Sequence, residues 1–212
     1  MVDSRQLGND AVMLERWLAQ ARGAIERAQW PLAEDRLRRL HGAAPADLDV
    51  VRLLAQVMRE RGASSEAEAL LTRVFKDAPE EAWPGKRELL LELADLRLAV
   101  GRAGDAARAL RRVLDVEPHH WEALALMGNV FLDSGHPVEA ANAYRESVSA
   151  NPFESETWWN LATALEQAGE PAAAADALEG WLGAASPSPS ERAETEADIA
   201  RLRAALPRAP GS

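Results

Sequence analysis

A repeat of 34 residues constrains this chain more than any other feature of its sequence. Prolines recur with spacings of 34, 39 and 34 residues, at Pro45, Pro79, Pro118 and Pro152. Glycines recur with spacings of 39, 34 and 34 residues, at Gly62, Gly101, Gly135 and Gly169. Both residue types share one period and one interruption. Self-similarity of this kind indicates an array of equivalent units that bury their apolar faces by stacking on their neighbours.

Each unit has the pattern of two amphipathic helices. In the fourth, Gly135 follows the first helix, because glycine readily takes the left-handed conformation after a helix C-terminus. Pro137 begins the second helix in its first turn, where the missing N–H has no partner to lose. In the second unit, residues 65–68 (SEAE) occupy the corresponding place and predict a capping box.

The repeat resembles that of the tetratricopeptide repeat family. The fourth unit carries the small, aromatic, alanine and proline positions of the family pattern at Gly128, Phe131, Ala140, Tyr144 and Pro152. The first unit has Ala28 where the turn glycine belongs, and the fifth has Ser186 where the proline belongs. The resemblance covers 175 of 212 residues. It implies an all-α, right-handed superhelical solenoid of five helix-turn-helix units with a C-terminal capping helix.

The sequence divides into a lead-in, five repeats, a capping helix and a tail. The ranges are 1–13, then 14–47, 48–81, 87–120, 121–154 and 155–188, then 189–206, then 207–212, which is expected to be frayed. The 82–86 insertion carries Trp83, to which the pattern assigns no place. Residues 188–191 (SPSE) predict the start of the last helix. Its thin apolar stripe of Ile199, Leu202 and Leu206 suits a solvent-facing cap.

Composition excludes several classes of protein. The chain has no cysteine and a formal net charge of −10, which argues against nucleic-acid binding, since that requires a basic face. No secretory signal and no apolar stretch of about 18 residues are present, so the sequence predicts a cytoplasmic protein without a membrane span.

No catalytic or metal-binding pattern emerges from the sequence. The four histidines, His41, His119, His120 and His136, lie at helix ends that are too far apart to share a metal. No nucleophile motif or phosphate-binding glycine loop is present. We therefore expect no enzymatic activity, no metal and no cofactor.

The resemblance implies that first-helix positions 2, 5, 6, 9, 12 and 13 line a concave groove. Across the five repeats these positions hold 11 acidic residues and 3 arginines, and in repeats three to five they hold 7 acids and no base. The predicted partner-binding residues are Glu92, Asp95, Glu122, Asn129, Asp133, Glu156, Trp159, Asn160 and Glu166. The alternative is that acids lie there because carboxylates suit helix N-termini, which explains Glu122 and Glu156 but not Asp133.

Two asparagines in this set indicate backbone recognition. In chaperone-binding members of the family, lysine and arginine capture a C-terminal carboxylate while asparagines hold the peptide backbone. This chain keeps Asn129 and Asn160 but has Ala125 in place of the first lysine. An extended peptide is therefore the expected ligand, without carboxylate capture.

The adjacent residues Trp158 and Trp159 point about 100° apart on a helix. The resemblance assigns Trp158 to the core between the two helices of its repeat and Trp159 to the groove. It likewise assigns Trp17 to the core and Trp181 to contact with the C-terminal helix.

The sequence predicts a non-enzymatic adaptor or assembly scaffold that binds a basic protein or extended peptide in an acidic groove. Two alternatives remain open at this point. One is a regulatory or substrate-recruiting subunit of an enzyme complex, bound through its outer face or through the Trp83 loop. The other is a self-assembling scaffold, and so a homo-oligomer, formed when a terminal helix docks in a neighbour's groove.

Overall fold

The fold is all-α, as predicted. The computed structural model describes residues 4–76 and 86–205, and within these ranges it contains eleven α-helices and no strand. The helices are α1 (Ser4–Glu26), α2 (Trp30–Ala43), α3 (Leu48–Glu60), α4 (Ser64–Lys76), α5 (Arg87–Ala99), α6 (Ala103–Leu114), α7 (Trp121–Asp133), α8 (Pro137–Ala150), α9 (Ser155–Gln167), α10 (Pro171–Ala184) and α11 (Pro189–Ala204). None of these described helices is long and apolar enough to cross a membrane.

The chain forms two compact units, residues 1–102 and residues 103–212. In the first unit, α1 packs on α2, α2 on α3, α3 on α4, and α5 on both α3 and α4. In the second unit, each of the helices from α6 to α11 packs on the next. Each proposed repeat contains one helix pair, and the boundary between the units falls inside the third.

Several sequence predictions concern residues outside the described ranges. Trp83 and residues 82–85 of the insertion are among them, as are Leu206 and the 207–212 tail. Helix α1 begins at Ser4, so the first helix extends through the part of the lead-in that the structure describes.

A left-handed residue ends the first helix of every repeat. Four of these residues are glycines with φ between +75° and +77°, namely Gly62, Gly101, Gly135 and Gly169. The following N–H then donates to a carbonyl five residues earlier, as from His136 to Phe131 at 2.9 Å. The turn assigned to Gly135 is therefore confirmed. In the first repeat, Ala28 adopts the same conformation with φ of +52°, although its Cβ makes this conformation unfavourable.

Replacing Ala28 with glycine should stabilise the protein. Relief of the left-handed strain is worth about 1–2 kcal/mol, and the added freedom of the unfolded chain removes about 0.4–1 kcal/mol of that gain. Urea denaturation should show a net increase of about 0.5–1 kcal/mol in the free energy of unfolding. Gly135→Ala is the matched control and should have the opposite effect. A loss of stability in Ala28→Gly would contradict the assignment.

Close packing inside two repeats depends on a glycine facing an aromatic ring. A Cβ at Gly128 would lie 2.5 Å from Tyr144, and a Cβ at Gly180 would lie 2.5 Å from the Trp158 ring. The indole of Trp158 also donates to the carbonyl of Pro152 at 2.9 Å. Trp158 on α9 therefore packs against α10, which confirms its assignment between the two helices of its repeat.

Trp158→Ala should destabilise the protein by about 3 kcal/mol, the lower end of the range for removing a core aromatic, because the ring is only partly buried. Gly180→Ala should cost about 1–3 kcal/mol through overpacking. Because the two residues share one space, the double mutant should lose less stability than the sum of the single mutants. Thermal and urea melts of the four proteins test this, and strict additivity would show that the ring and the glycine are not coupled.

Ion pairs centred on Glu34 and Glu68 link neighbouring repeats in the first unit. The buried carboxylate of Glu34 binds Arg38 at 2.7 Å and also contacts Arg61 on the next repeat. Glu68 on α4 binds Arg102 at 2.7 Å and Arg97 at 3.5 Å. The predicted capping box at residues 65–68 is wrong, because α4 begins at Ser64 and the carboxylate of Glu68 binds these arginines.

The capping box at the start of α11 is confirmed. Ser188 accepts a hydrogen bond from the Glu191 N–H at 3.3 Å, and the Glu191 carboxylate accepts one from the Ser188 N–H at 2.8 Å. Hydrogen bonding from the Ser188 side chain and from the Ser188 backbone N–H lowers the pKa of the Glu191 carboxyl. Ile199 and Leu202 are buried against the last repeat, as the stripe predicts.

Deleting residues 185–212 should destabilise the second unit. It removes the buried side chains of Ile199 and Leu202 and uncovers apolar surface on α10, such as Leu178. Each aliphatic side chain contributes about 1.5–3 kcal/mol when fully buried. The truncated protein should melt at lower temperature and aggregate on heating. Unchanged melting and solubility would show that α11 has no structural role.

Candidate partner-binding face

The nine residues predicted from the sequence fall in both units. Glu92 and Asp95 lie on α5 in the first unit. The other seven lie on α7 and α9 in the second unit: Glu122, Asn129, Asp133, Glu156, Trp159, Asn160 and Glu166.

The acids of the first unit are paired with an arginine. Arg59 on α3 contacts Asp95 directly, and its guanidinium lies 3.6 Å from the Glu92 carboxylate. Burial opposes the charge of Arg59, but the attraction of Glu92 and Asp95 outweighs burial and raises the pKa of the arginine. The count of groove acids without a base in repeats three to five implied that these acids are uncompensated, and this is wrong. Arg59, at position 12 of the second repeat, pairs with two acids of the third.

Glu166 is also paired within the protein. Arg201 on the capping helix α11 binds its carboxylate at 2.9 Å. Both side chains are about half exposed, so this bond orients α11 on α9 and adds little stability. The acid that was assigned to the groove thus holds the capping helix.

Three polar side chains of the second unit lie near the hydroxyl of Tyr144. The hydroxyl donates to Asn129 Oδ1 at 2.5 Å. Burial raises the pKa of Tyr144 well above its usual range, and the nearby carboxylates of Asp133 and Glu156 raise the pKa further. Asn129 and Asp133 lie one turn apart on α7, and Glu156 lies in the first turn of α9.

Trp159 and Asn160 lie one turn after Glu156 on the same side of α9, because residues three and four apart are neighbours on a helix surface. We call the surface formed by these five residues the α7/α9 face; they are Asn129, Asp133, Glu156, Trp159 and Asn160. In the part of the chain that the structure describes, no arginine, lysine or histidine forms an ion pair with Asp133 or Glu156. The face therefore carries two uncompensated negative charges.

The Trp159 ring is partly exposed to solvent. It is 44% exposed and meets the ring of Trp181 edge-to-face, with the ring centroids 5.6 Å apart and the planes at 65°. Trp181, which the sequence assigned to contact with the C-terminal helix, thus supports a residue of the α7/α9 face. The exposed part of Trp159 forms an apolar surface beside the carboxylate of Glu156.

The histidines have structural positions at helix ends. His120 is the N-cap of α7, and its Nδ1 accepts a hydrogen bond from the Ala123 N–H at 3.3 Å. Within residues 4–76 and 86–205, no three histidine or carboxylate side chains are placed to hold a metal ion.

Sequence reasoning missed three residues that bind predicted groove residues. Arg59 and Arg201 were not recognised as partners of groove acids, because long side chains reach between helices that the repeat pattern treats separately. Tyr144 was recognised only as the aromatic position of the repeat pattern. A signal was present, since Gly128 leaves room for a ring whose hydroxyl can then reach the next residue, Asn129.

The sequence match and the fold identify the same class of protein. The tetratricopeptide repeat family matches residues 91–136 and 125–189. Residues 91–189 therefore belong to this family, and the α7/α9 face lies within the matched range. No curated protein matches the sequence.

The fold is similar to that of solved MamA structures. The crystal structure of MamA protein has 17% sequence identity, covers 93% of this chain and 98% of that chain, and has a TM-score of 0.63. MamA 41-end from Desulfovibrio magneticus RS-1 has 14% identity, covers 85% of this chain and 96% of that chain, and has a TM-score of 0.67. At this level of identity the likeness establishes the fold alone.

The stability of the protein should fall above about pH 10, where an unfolded tyrosine ionises. The folded pKa of Tyr144 is raised, so its contribution is fully present below the unfolded pKa and is lost as pH rises through the folded pKa. Urea melts at about pH 9 and about pH 11 measure this loss, which is at most ~1.4 kcal/mol per pH unit. Tyr144→Phe should show a smaller decrease over the same interval. An equal decrease in both proteins would contradict the raised pKa.

Proposed function

We propose that this protein is a non-enzymatic adaptor or assembly scaffold that binds a basic, extended segment of a partner protein on the α7/α9 face. The observation that carries the proposal is that the Tyr144 hydroxyl binds Asn129 in a part of the second unit where the carboxylates of Asp133 and Glu156 lie near enough to raise its pKa. Neither carboxylate forms an ion pair with a cation of the described residues.

The chemistry of the face suits a lysine or arginine side chain on such a segment. Two carboxylates attract the cation, and a partly exposed tryptophan beside them offers a surface for its aliphatic stem or for a cation–π contact. Asn129 and Asn160 have amides that can hydrogen-bond a peptide backbone. Tryptophan is also enriched among residues that dominate binding energy at interfaces.

The second unit is the better candidate for this contact. In the first unit, Arg59 pairs with Glu92 and Asp95, so a basic ligand would have to compete with an existing ion pair. Among the described residues of the second unit, Glu166 is paired with Arg201, whereas no ion pair involves Asp133 or Glu156. The proposed partner segment is therefore recognised by residues of α7 and α9.

Binding can be measured with an array of labelled synthetic peptides of about ten residues that differ in net charge; extended, each spans about 33 Å. The protein should bind the basic peptides, and affinity should fall as salt rises from about 50 to about 500 mM because the Debye length shortens. The double variant Asp133→Asn/Glu156→Gln should bind about tenfold more weakly at low salt.

The matched control is Glu139→Gln/Glu146→Gln, which makes the same change of charge on exposed positions of α8 in the same unit. This variant should keep wild-type affinity. Equal weakening in both double variants would show that only the net charge of the protein matters, and preference for acidic peptides would refute the proposal.

Trp159→Ala should separate binding from stability. Loss of its edge-to-face contact with Trp181 should lower the free energy of unfolding by only about 0.5–1.5 kcal/mol. Loss of its exposed surface should weaken binding of the basic peptide by about 2 kcal/mol or more. Anisotropy titrations and urea melts of the same preparation measure both quantities. If stability falls and affinity does not, Trp159 belongs to the fold alone.

The same preparations test the two alternative functions. Light scattering that gave a stable oligomer, together with no binding to any peptide of the array, would favour a self-assembling scaffold. Partner binding that survived Asp133→Asn/Glu156→Gln would favour a regulatory subunit that uses its outer face.

A further inference from the structure

The Asn129 side chain is held by a hydrogen bond from the Tyr144 hydroxyl. The ring of Tyr144 is fully buried and lies against Gly128, where a Cβ would come within 2.5 Å. This packing fixes the position of the hydroxyl, which meets the Asn129 amide at 2.5 Å. An amide has an acceptor oxygen on one side and two N–H donors on the other, so the group that meets the hydroxyl decides which group faces outward.

Two features fix the orientation of this amide. The neutral phenol of Tyr144 donates a hydrogen bond to the amide oxygen, Oδ1, at 2.5 Å. The nearby carboxylates of Asp133 and Glu156 attract the amide N–H group and repel the amide oxygen. Both effects turn Oδ1 toward Tyr144 and leave the N–H donors for a ligand.

We infer that Tyr144 is a positioning residue that turns the amide N–H donors of Asn129 outward, so that the α7/α9 face selects a segment presenting a backbone carbonyl oxygen beside its basic side chain. This inference rests on the proposed function and specifies the part of the peptide that Asn129 recognises. The reversed amide would offer an acceptor and would select a backbone N–H. Extended peptides suit this selection, since their carbonyl groups are not used in a helix.

The orientation can be tested in the free protein, because Tyr144 is the single tyrosine of the chain. Absorbance at the phenolate band therefore reports this residue alone. Asn129→Ala removes the acceptor of the neutral phenol, so Tyr144 should ionise at lower pH than in the wild type. Asn160→Ala, on the neighbouring helix, should leave the titration unchanged. Identical titrations of wild type and Asn129→Ala would overturn the inference.

The carbonyl preference can be tested with the tightest basic peptide of the array. Replacing one backbone amide at a time with an ester weakens a single carbonyl acceptor. One position should reduce affinity for the wild type by about three- to tenfold, and the same ester should have no effect on Asn129→Ala. As a control, the nitrogen of the same peptide bond is methylated instead. This change removes the N–H but keeps the carbonyl, and it should be tolerated.

Tyr144→Phe distinguishes a positioning role from a structural one. It should weaken peptide binding by about three- to tenfold in the wild-type background. In the Asn129→Ala background it should have no further effect on binding. A merely structural role would lower the melting temperature and weaken binding equally in both backgrounds, which would overturn the inference. No peptide binding at all would refute the proposed function and the carbonyl preference together, while the titration would still decide the orientation of Asn129.

Discussion

The structure depends on close contact between the two helices of a repeat, where a residue without a side chain faces an aromatic ring. The Tyr144 ring packs against Gly128, and the Trp158 ring packs against Gly180. Neither contact leaves room for a methyl group on the glycine. Protein interiors are close-packed, so such a contact fixes the separation of the helices. In the fourth repeat, the same contact places the Tyr144 hydroxyl beside Asn129. The packing that builds the repeat therefore also orients a side chain of the proposed binding face.

Some acidic side chains of the protein form ion pairs with arginines, and others have no such partner among the described residues. Glu34, Glu68, Glu92 and Asp95 bind arginines of neighbouring helices in the first unit, and Glu166 binds Arg201 of the capping helix. These acids stabilise or orient the array. Asp133 and Glu156 remain close to a buried phenol with no ion-pair partner among the described residues. No ion pair among the described residues gives these two carboxylates a role in the fold, which is why we assign them to binding.

The sequence predicted the fold well because the fold follows from local and periodic signals. Turn glycines such as Gly135, prolines such as Pro137 and the Ser188–Glu191 capping box each determine backbone conformation within a few residues. The same reasoning failed at residues 65–68, where Glu68 binds distant arginines rather than the helix terminus. It also failed to find Arg59 as the partner of Glu92 and Asp95, because the reach of an arginine between helices is not encoded in repeat position. The residues of the candidate face on α7 and α9 were named from the sequence. The proposed role of Tyr144 could be recognised only from the structure, which gives the distance between its hydroxyl and Asn129.

The central claim is that a basic, extended segment binds across α7 and α9 in the second unit. Titration of isotope-labelled protein with a basic peptide, followed by NMR, tests it most directly. Our account predicts that the largest shifts fall on the side-chain amides of Asn129 and Asn160 and on the indole N–H of Trp159. It also predicts small shifts at exposed positions of α8 such as Glu139. Shifts concentrated on α8, or in the first unit around Arg59, would contradict the account.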